Sequence, residues 1–493
     1  MHVTDIRKFN RCPRLYQRSQ KEESSHFSFF NIPFDVCGTV AGKLHLEDYR
    51  TGVVNNTNAD SFTLAQECPY VFRARFEFDG LRIKVPLIKL EADHCIIYDF
   101  VLSTSVTTDE YINMKYYLFV LENLGIKVDK IYTLYLNREY RRGEELDCDQ
   151  LWILSEFRNR DTTVLDYVRT LETDTAGLLR RIRCYKDEHF SRYTPKCTGR
   201  NRCSYFEECY PQYADIPDNS ILTLVSSQYK YRMFDLGVRY LKDAPEVWLE
   251  SNRVQLSQIA ADRNGGLYVD EPALAKWLDG AISYPISFLD FEWDLYPIPP
   301  YEGMRPMDVL LFQYSLDVYD GKKLKHYQYV GTGDDRREMA EELLRCIPDK
   351  GSILAYNARG AEKIRIRELA EYLPQYRSRF LNIDRRMFDL ADPFINGMVY
   401  DTRMRGNFTL KVLEEIVDRQ HSYHDLNVSN GSQAVVIHRR METSEGGERE
   451  NCRNDLLAYC GLDTYSLYEV LKWLYQLTGR KITVNDDCTE EII

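Results

Sequence analysis

No stretch of this sequence is apolar over the roughly 20 residues needed to cross a bilayer. The opening Met1-His-Val-Thr-Asp-Ile-Arg-Lys8 carries no apolar signal region either. Both absences exclude a membrane-spanning reading and predict a cytoplasmic protein. Positive charge is also short: 64 Lys and Arg face 76 Asp and Glu, a net charge of −12. That argues against a general nucleic-acid scavenger. It does not exclude a nuclease, because local patches and bound metals set the field at a site. Compositional bias toward disorder is missing, and hydrophobic residues at 44% can fill real cores. Histidine is scarce, and His421, His424 and His438 show no metal-ligand spacing. The 13 cysteines are expected as reduced thiols or metal ligands rather than a disulfide framework. A chain of 493 residues accommodates about three domains.

Chemistry concentrates in Pro285-Ile-Ser-Phe-Leu-Asp290-Phe291-Glu292, an apolar run that opens after Asp279-Gly280 and reads as a strand. Alternate side chains of a strand share a face, so Asp290 and Glu292 stand together while Phe291 turns away. Two acids on a buried strand are unfavourable without a compensating cation, and a hard divalent metal suits their oxygens. A strand end reaching solvent is the plain alternative. Gly351-Ser-Ile-Leu-Ala-Tyr-Asn357 reads as a second short strand, with Glu362 opening a helical run just beyond it. Asp455 to Leu467 reads as a helix, on which Tyr459 and Asp463, four apart, share a face.

This ordered set, Asp-x-Glu, then Asn and an acid, then Tyr-x-x-x-Asp, resembles the DEDDy branch of the DnaQ-like 3′–5′ exonucleases, which have an RNase H-like fold. The family usually places Asp four residues after its Asn or His; here Glu362 comes five after Asn357. The resemblance implies Asp290, Glu292, Glu362 and Asp463 as ligands of two Mg²⁺ or Mn²⁺ ions, and Tyr459 as the residue orienting the attacking water. Two such ions about 3.5–4 Å apart stabilise the attacking and the leaving oxygen of an in-line displacement. Asn357 is expected to position the Glu362 turn or a nucleotide. Asp384 and Asp389 are expected to cap or to pair with the adjacent arginines.

Upstream, Cys12 stands near the N-terminus, and Cys197, Cys203 and Cys209 fall in a turn-rich segment. One early cysteine and a late triplet resemble the iron–sulfur-bearing RecB-like nucleases. The resemblance implies a [4Fe–4S] cluster, which four thiolates suit; zinc and unligated thiols remain alternatives. Cys37, Cys68, Cys95, Cys148 and Cys184 are expected in the core. The RecB-like PD-(D/E)XK pattern needs an Asp on one central strand and Glu-x-Lys on the next. Here the strand around Arg82 offers Pro86, the strand around Cys95 offers Asp99 but Val101 in place of lysine, and the following helix offers Tyr117. The module is expected to keep its fold and to have lost its chemistry.

Arg138, Arg141 and Arg142 beside Tyr140, and a stripe of Arg180, Arg181, Arg183, Lys186, Arg192, Lys196, Arg200 and Arg202, are candidate phosphate contacts, or simply solvated faces. The expected architecture is α/β: a RecB-like module over 1–212, a small helical connector over 213–280 and a DnaQ-like domain over 281–480. Residues 431–447 are expected to be polar and mobile, and Asp334 to cap the helix after it. The arrangement resembles a bacterial and phage family of unassigned function that fuses the two nuclease types. The expected activity is 3′–5′ exonucleolysis of nucleic acid, on DNA first. A non-catalytic nucleic-acid-binding scaffold and an RNA 3′-end trimmer stay open.

Overall fold

Alternating burial runs through β-strands 81–91 and 94–100 of the first sheet, broken once where Leu87 and Ile88 are both buried. The computed structural model describes residues 1–21, 35–186, 193–198, 202–249, 252–418 and 421–482. The chain divides into two compact units, one of residues 1–211 with 295–309, the other of residues 212–294 with 310–493. In the first unit six strands lie in sequence order: β1 (Arg50–Thr51), β2 (Tyr70–Phe78), β3 (Leu81–Glu91), β4 (His94–Phe100), β5 (Lys127–Leu136) and β6 (Trp152–Ser155). β2, β3 and β4 form an antiparallel meander, and β4 pairs parallel with β5. A parallel pair needs a crossover, which helix α2 (Thr108–Asn123) supplies between those strands. Its buried Met114, Leu118 and Leu121 meet Ile83, Val85 and Ile97 of the sheet in one core with Ile6 and Phe9 of helix α1 (Val3–Arg11).

The second unit holds two further sheets. β7 (Leu267–Val269) pairs antiparallel with β13 (Val399–Asp401). The larger sheet has the order β10-β9-β8-β11-β12, from β8 (Ile286–Tyr296), β9 (Asp308–Tyr319), β10 (Leu324–Val330), β11 (Ser352–Ala355) and β12 (Met387–Asp389). β9 and β10 are antiparallel; β8, β11 and β12 run parallel. β8 is central, so its Ile286, Phe288, Leu289 and Phe291 are all buried, as parallel strands covered on both faces require. Helix α3 (Glu362–Tyr372) follows β11, and helices α4 (Leu410–Val417), α5 (Gly431–Thr443) and α6 (Gly446–Gln476) close the unit. α6 is tied to β9 by Gln313 donating to the Leu456 carbonyl at 2.7 Å and by the Ser315–Thr464 hydroxyl pair at 2.8 Å.

Three expectations are corrected. The 213–280 stretch belongs to the second unit; its Leu267–Val269 strand and the buried Leu274 and Leu278 contribute to that unit's pairing and core. Residues 431–443, expected to be mobile, form α5, because Ala434, Val435, His438 and Met441 recur at helical spacing and are buried, and Asn430 caps the Gln433 N–H. Asp334 does not cap the Arg336–Cys346 helix; it pairs with Arg336. No helix among the described residues is long and apolar enough to cross a membrane.

Gly351, at the entry to β11, has φ +81°, and a Cβ there would lie 1.8 Å from the Pro285 carbonyl oxygen. Gly351→Ala is therefore expected to destabilise the protein. The left-handed backbone alone accounts for about 1–3 kcal/mol, and chemical denaturation reads the loss.

Candidate metal centre

Period two along β8 puts Asp290, Glu292 and Asp294 on one face, and the third is satisfied differently from the first two. Asp294 is fully buried and takes a bidentate pair from Arg439 of α5, both N–O distances 2.7 Å. Asp290 and Glu292 take no such arginine. They face α6 instead, where Asp463 projects one turn after Tyr459. One carboxylate oxygen each of Asp290, Glu292 and Asp463 lies within 4.8 Å of the other two. Among the described residues no other group of three or more His, Cys, Asp and Glu side chains closes so tightly. Glu292 and Asp463 are buried and Asp290 is partly exposed.

The geometry dictates the electrostatics. Burial, then Asp463, Glu292 and Glu362, hold Asp290 well above the usual carboxylate range, opposed by the Cys460 thiol that donates to its Oδ2 at 3.3 Å. Burial and Asp463 push Glu292 up to about 8, with Lys411 pulling the other way. Asp463 rises through burial only to about 6, because a 2.6 Å hydrogen bond from the Tyr423 hydroxyl, the Lys411 charge and a bond from Tyr459 favour its anion. Carboxyls that repel one another so strongly are what a bound divalent cation would relieve.

Glu362 opens α3 and is buried; burial, then Asp389 and Asp463, push it to about 8, against its own backbone N–H and Arg365. It feels the cluster electrostatically but stands outside the tight group of three. Its Oε2 is buried with no hydrogen-bond partner. Asn357 sits at φ +57° and is exposed; its N–H donates to Asp389 at 2.9 Å, and its carbonyl accepts from Gly360 and Ala361. It thus shapes the turn into Glu362. Asp389 also caps the Ala391 N–H, whereas Asp384 pairs with Arg367 rather than with an adjacent arginine.

Sequence reading missed Lys411, Tyr423, Cys460 and Asp294. Lys411 of α4 donates to the Ser429 carbonyl and stands 4.9 Å and 5.3 Å from the ring centres of Tyr423 and Tyr459. A methyl on Gly431 would come 3.4 Å from Glu292 Oε2, so the first turn of α5 abuts that carboxylate. Of these four, only Asp294 carried a sequence signal: it continues the alternation of Asp290 and Glu292.

The first unit holds the other candidates. Cys12, Cys197, Cys203 and Cys209 line one cavity of about 140 Å³. No three of these sulfurs lie within 4.8 Å of one another. Tetrahedral Zn–S bonds of about 2.3 Å would place sulfurs roughly 3.8 Å apart. Cys37, Cys68 and Cys95 are buried as expected; Cys148 is only partly covered, and Cys184, in the last turn of its helix, is exposed. Arg141 and Arg142 donate to the Gly303 and Pro299 carbonyls, and Arg138 pairs with Glu139. In the basic stripe Arg183 pairs with Asp79 and Arg202 with Glu207; Arg192 and Arg200 lie outside the described residues. Asp99 is buried against the Tyr117 hydroxyl, and burial, then Glu110, push it to about 7.

Residues 287–409 match the model of a family described as a domain of unknown function (DUF2779). That span holds Asp290, Glu292, Asn357 and Glu362 and ends before Lys411, Tyr459 and Asp463. No curated protein matches the chain. No solved structure matches it either.

Proposed function

We propose that the second unit is a metal-dependent 3′–5′ exonuclease that releases nucleoside 5′-monophosphates from nucleic acid, DNA foremost. The observation that carries this reading is the convergence of Asp290 and Glu292 from a central strand with Asp463 from a late helix, within 4.8 Å. The sheet order with β8 in the middle agrees with an RNase H-like domain. The donors fit hard cations: all are carboxylates, and the unpartnered Oε2 of Glu362 offers a further ligand atom. Mg²⁺ or Mn²⁺ would supply the charge that stabilises the attacking and leaving oxygens.

The chain's own residues do the rest. Tyr423 and Tyr459 hold Asp463 as its anion and fix its orientation. Burial and Asp463 keep the Tyr459 phenol protonated, so it orients a water by hydrogen bonding and does not act as a base. Lys411 brings a cation to the same carboxylates, where a strand phosphate would also sit. In the first unit, Cys12, Cys197, Cys203 and Cys209 line one cavity and would hold a [4Fe–4S] cluster, which four thiolates suit. Pro86, Val101 and the Asp99–Tyr117 contact support a RecB-like module without cleavage chemistry.

The direct test uses single-stranded DNA and RNA labelled at the 5′ end, incubated with Mn²⁺. A descending ladder on DNA is expected. Faster laddering of RNA would replace the DNA preference, and intact polymers of both kinds would favour the scaffold reading.

Metal linkage gives a second test. Glu292 and Glu362 at about 8 and Asp463 at about 6 are raised above their ordinary values. The folded state then holds protons that the unfolded chain has released. The stability these groups contribute is full below their ordinary range near 4 and is lost as pH rises from there through about 6 for Asp463 and about 8 for the two glutamates. Metal-free protein is expected to lose melting temperature over that interval more steeply than Glu292→Gln, and Mn²⁺ to cancel most of the difference. Identical pH profiles for parent and variant would contradict it.

A further inference from the structure

The first unit contains a cavity of about 340 Å³ whose charged lining is all basic. Arg7 reaches it from α1, Arg75 from β2, and Arg82 and Lys84 from β3, with His2, Asn113 and Tyr117 beside them. None of these four cations forms an ion pair with a carboxylate among the described residues. Arg75 and Lys84 are directly opposite in the β2–β3 register, and like charges placed so destabilise a sheet. Glu77, opposite Arg82, makes no ion pair with it.

The guanidiniums are nevertheless held in place by backbone carbonyls. Arg82 donates to Val54 and Asn56, both at 2.6 Å, Arg75 to Val54 and Arg73, both at 3.3 Å, and Arg7 to Asp109 at 3.4 Å. Carbonyls orient a cation without neutralising it. Much of Lys84 stays accessible, yet partial desolvation, then Arg75 and Arg73, lower its pKa; desolvation, then Arg82 and Arg73, lower that of Arg75. The side-chain Oδ1 of Asn113, in the same lining, is buried without a hydrogen-bond partner. A fold that concentrates oriented, uncompensated positive charge in a recess is arranged for an anion.

We infer that this cavity binds a phosphate monoester carried on a larger group, as in a nucleoside monophosphate or the 5′-phosphorylated end of a strand. Guanidinium forks match phosphate oxygens in pairs, and the lysine adds a point charge. The volume exceeds what bare phosphate fills, being roughly ten times the share of one water in the liquid. Asn113 and the Tyr117 ring are left for the attached group. The inference does not use the carboxylates of the second unit and stands if they prove inactive.

The test is calorimetric titration at fixed ionic strength with inorganic phosphate, adenosine monophosphate, and one oligonucleotide bearing either a 5′-phosphate or a 5′-hydroxyl. EDTA is present, so no strand is cut. Saturable binding of the monophosphate is expected, tighter than that of inorganic phosphate. If a strand end is the natural ligand, the 5′-phosphorylated oligonucleotide binds at least about tenfold tighter than its hydroxyl twin; equal oligonucleotides with a bound monophosphate assign the free nucleotide.

Lys84→Ala removes no hydrogen bond and relieves the repulsion with Arg75. It is expected to raise the melting temperature while weakening monophosphate binding at least about tenfold, the loss of one charge-assisted contact. No saturable binding of any phosphate, or unchanged binding by Lys84→Ala, would overturn the inference.

Discussion

Replacing Asp290 with alanine is expected to remove at least about 100-fold of the proposed Mn²⁺-dependent digestion, and replacing Asp463 with asparagine to do the same. The size follows from position. Even outer partners of metal ligands contribute roughly 10–100-fold to metal affinity or activity, and these residues are two of the three carboxylates in the tight group. The fold should survive both changes. Beyond burial, the neighbouring Asp463, Glu292 and Glu362 raise Asp290, so its removal relieves repulsion that the metal-free protein carries. Asp463→Asn keeps a side-chain oxygen to accept the 2.6 Å bond from Tyr423. Activity therefore falls while the metal-free melting temperature holds or rises, which separates lost chemistry from lost folding. Initial rates on a labelled strand, with thermal denaturation in EDTA, measure both. Either variant retaining parental rates would remove that residue from the proposed site.

The second large effect is on stability. Arg439→Ala leaves Asp294, fully buried on β8, without its bidentate partner. Breaking one side of a buried pair costs about 3–5 kcal/mol, because the remaining charge stays out of water. The paired change, Asp294→Leu with Arg439→Met, removes both charges and is expected to cost clearly less than Arg439→Ala alone. Denaturant titration of the parent and these two variants tests this. Activity should follow, because Arg439 anchors α5, whose first turn abuts Glu292.

How far the sequence could be read depends on the range of the interactions. Alternation in β8 and the four-residue spacing of Tyr459 and Asp463 are local periodicities, so both faces were legible. The turn from Asn357 to Glu362 was legible as a helix start, and its role follows from its own backbone bonds. Lys411 and Tyr423 were not. A lysine early in a helix and a tyrosine in a short turn are ordinary locally; only the chain's return brings them to residues 292, 459 and 463. Arg141 and Arg142 were legible as a basic cluster, but their carbonyl partners at residues 303 and 299, 162 and 157 residues on, were not. The α5 helix was hidden by its polar flanks, although its buried Ala434, Val435, His438 and Met441 had the required spacing. The basic cavity was invisible because it joins α1 to two strands some 70 residues on.

The central claim is that Asp290, Glu292 and Asp463 together hold divalent cations. Crystals soaked in Mn²⁺ and measured at its absorption edge test this most directly. The account predicts anomalous density between these three carboxylates, at ordinary oxygen-ligand distances of roughly 2–2.6 Å, with Glu362 turned toward it. A soaked crystal with no manganese there, or with manganese bound only elsewhere, would contradict the account.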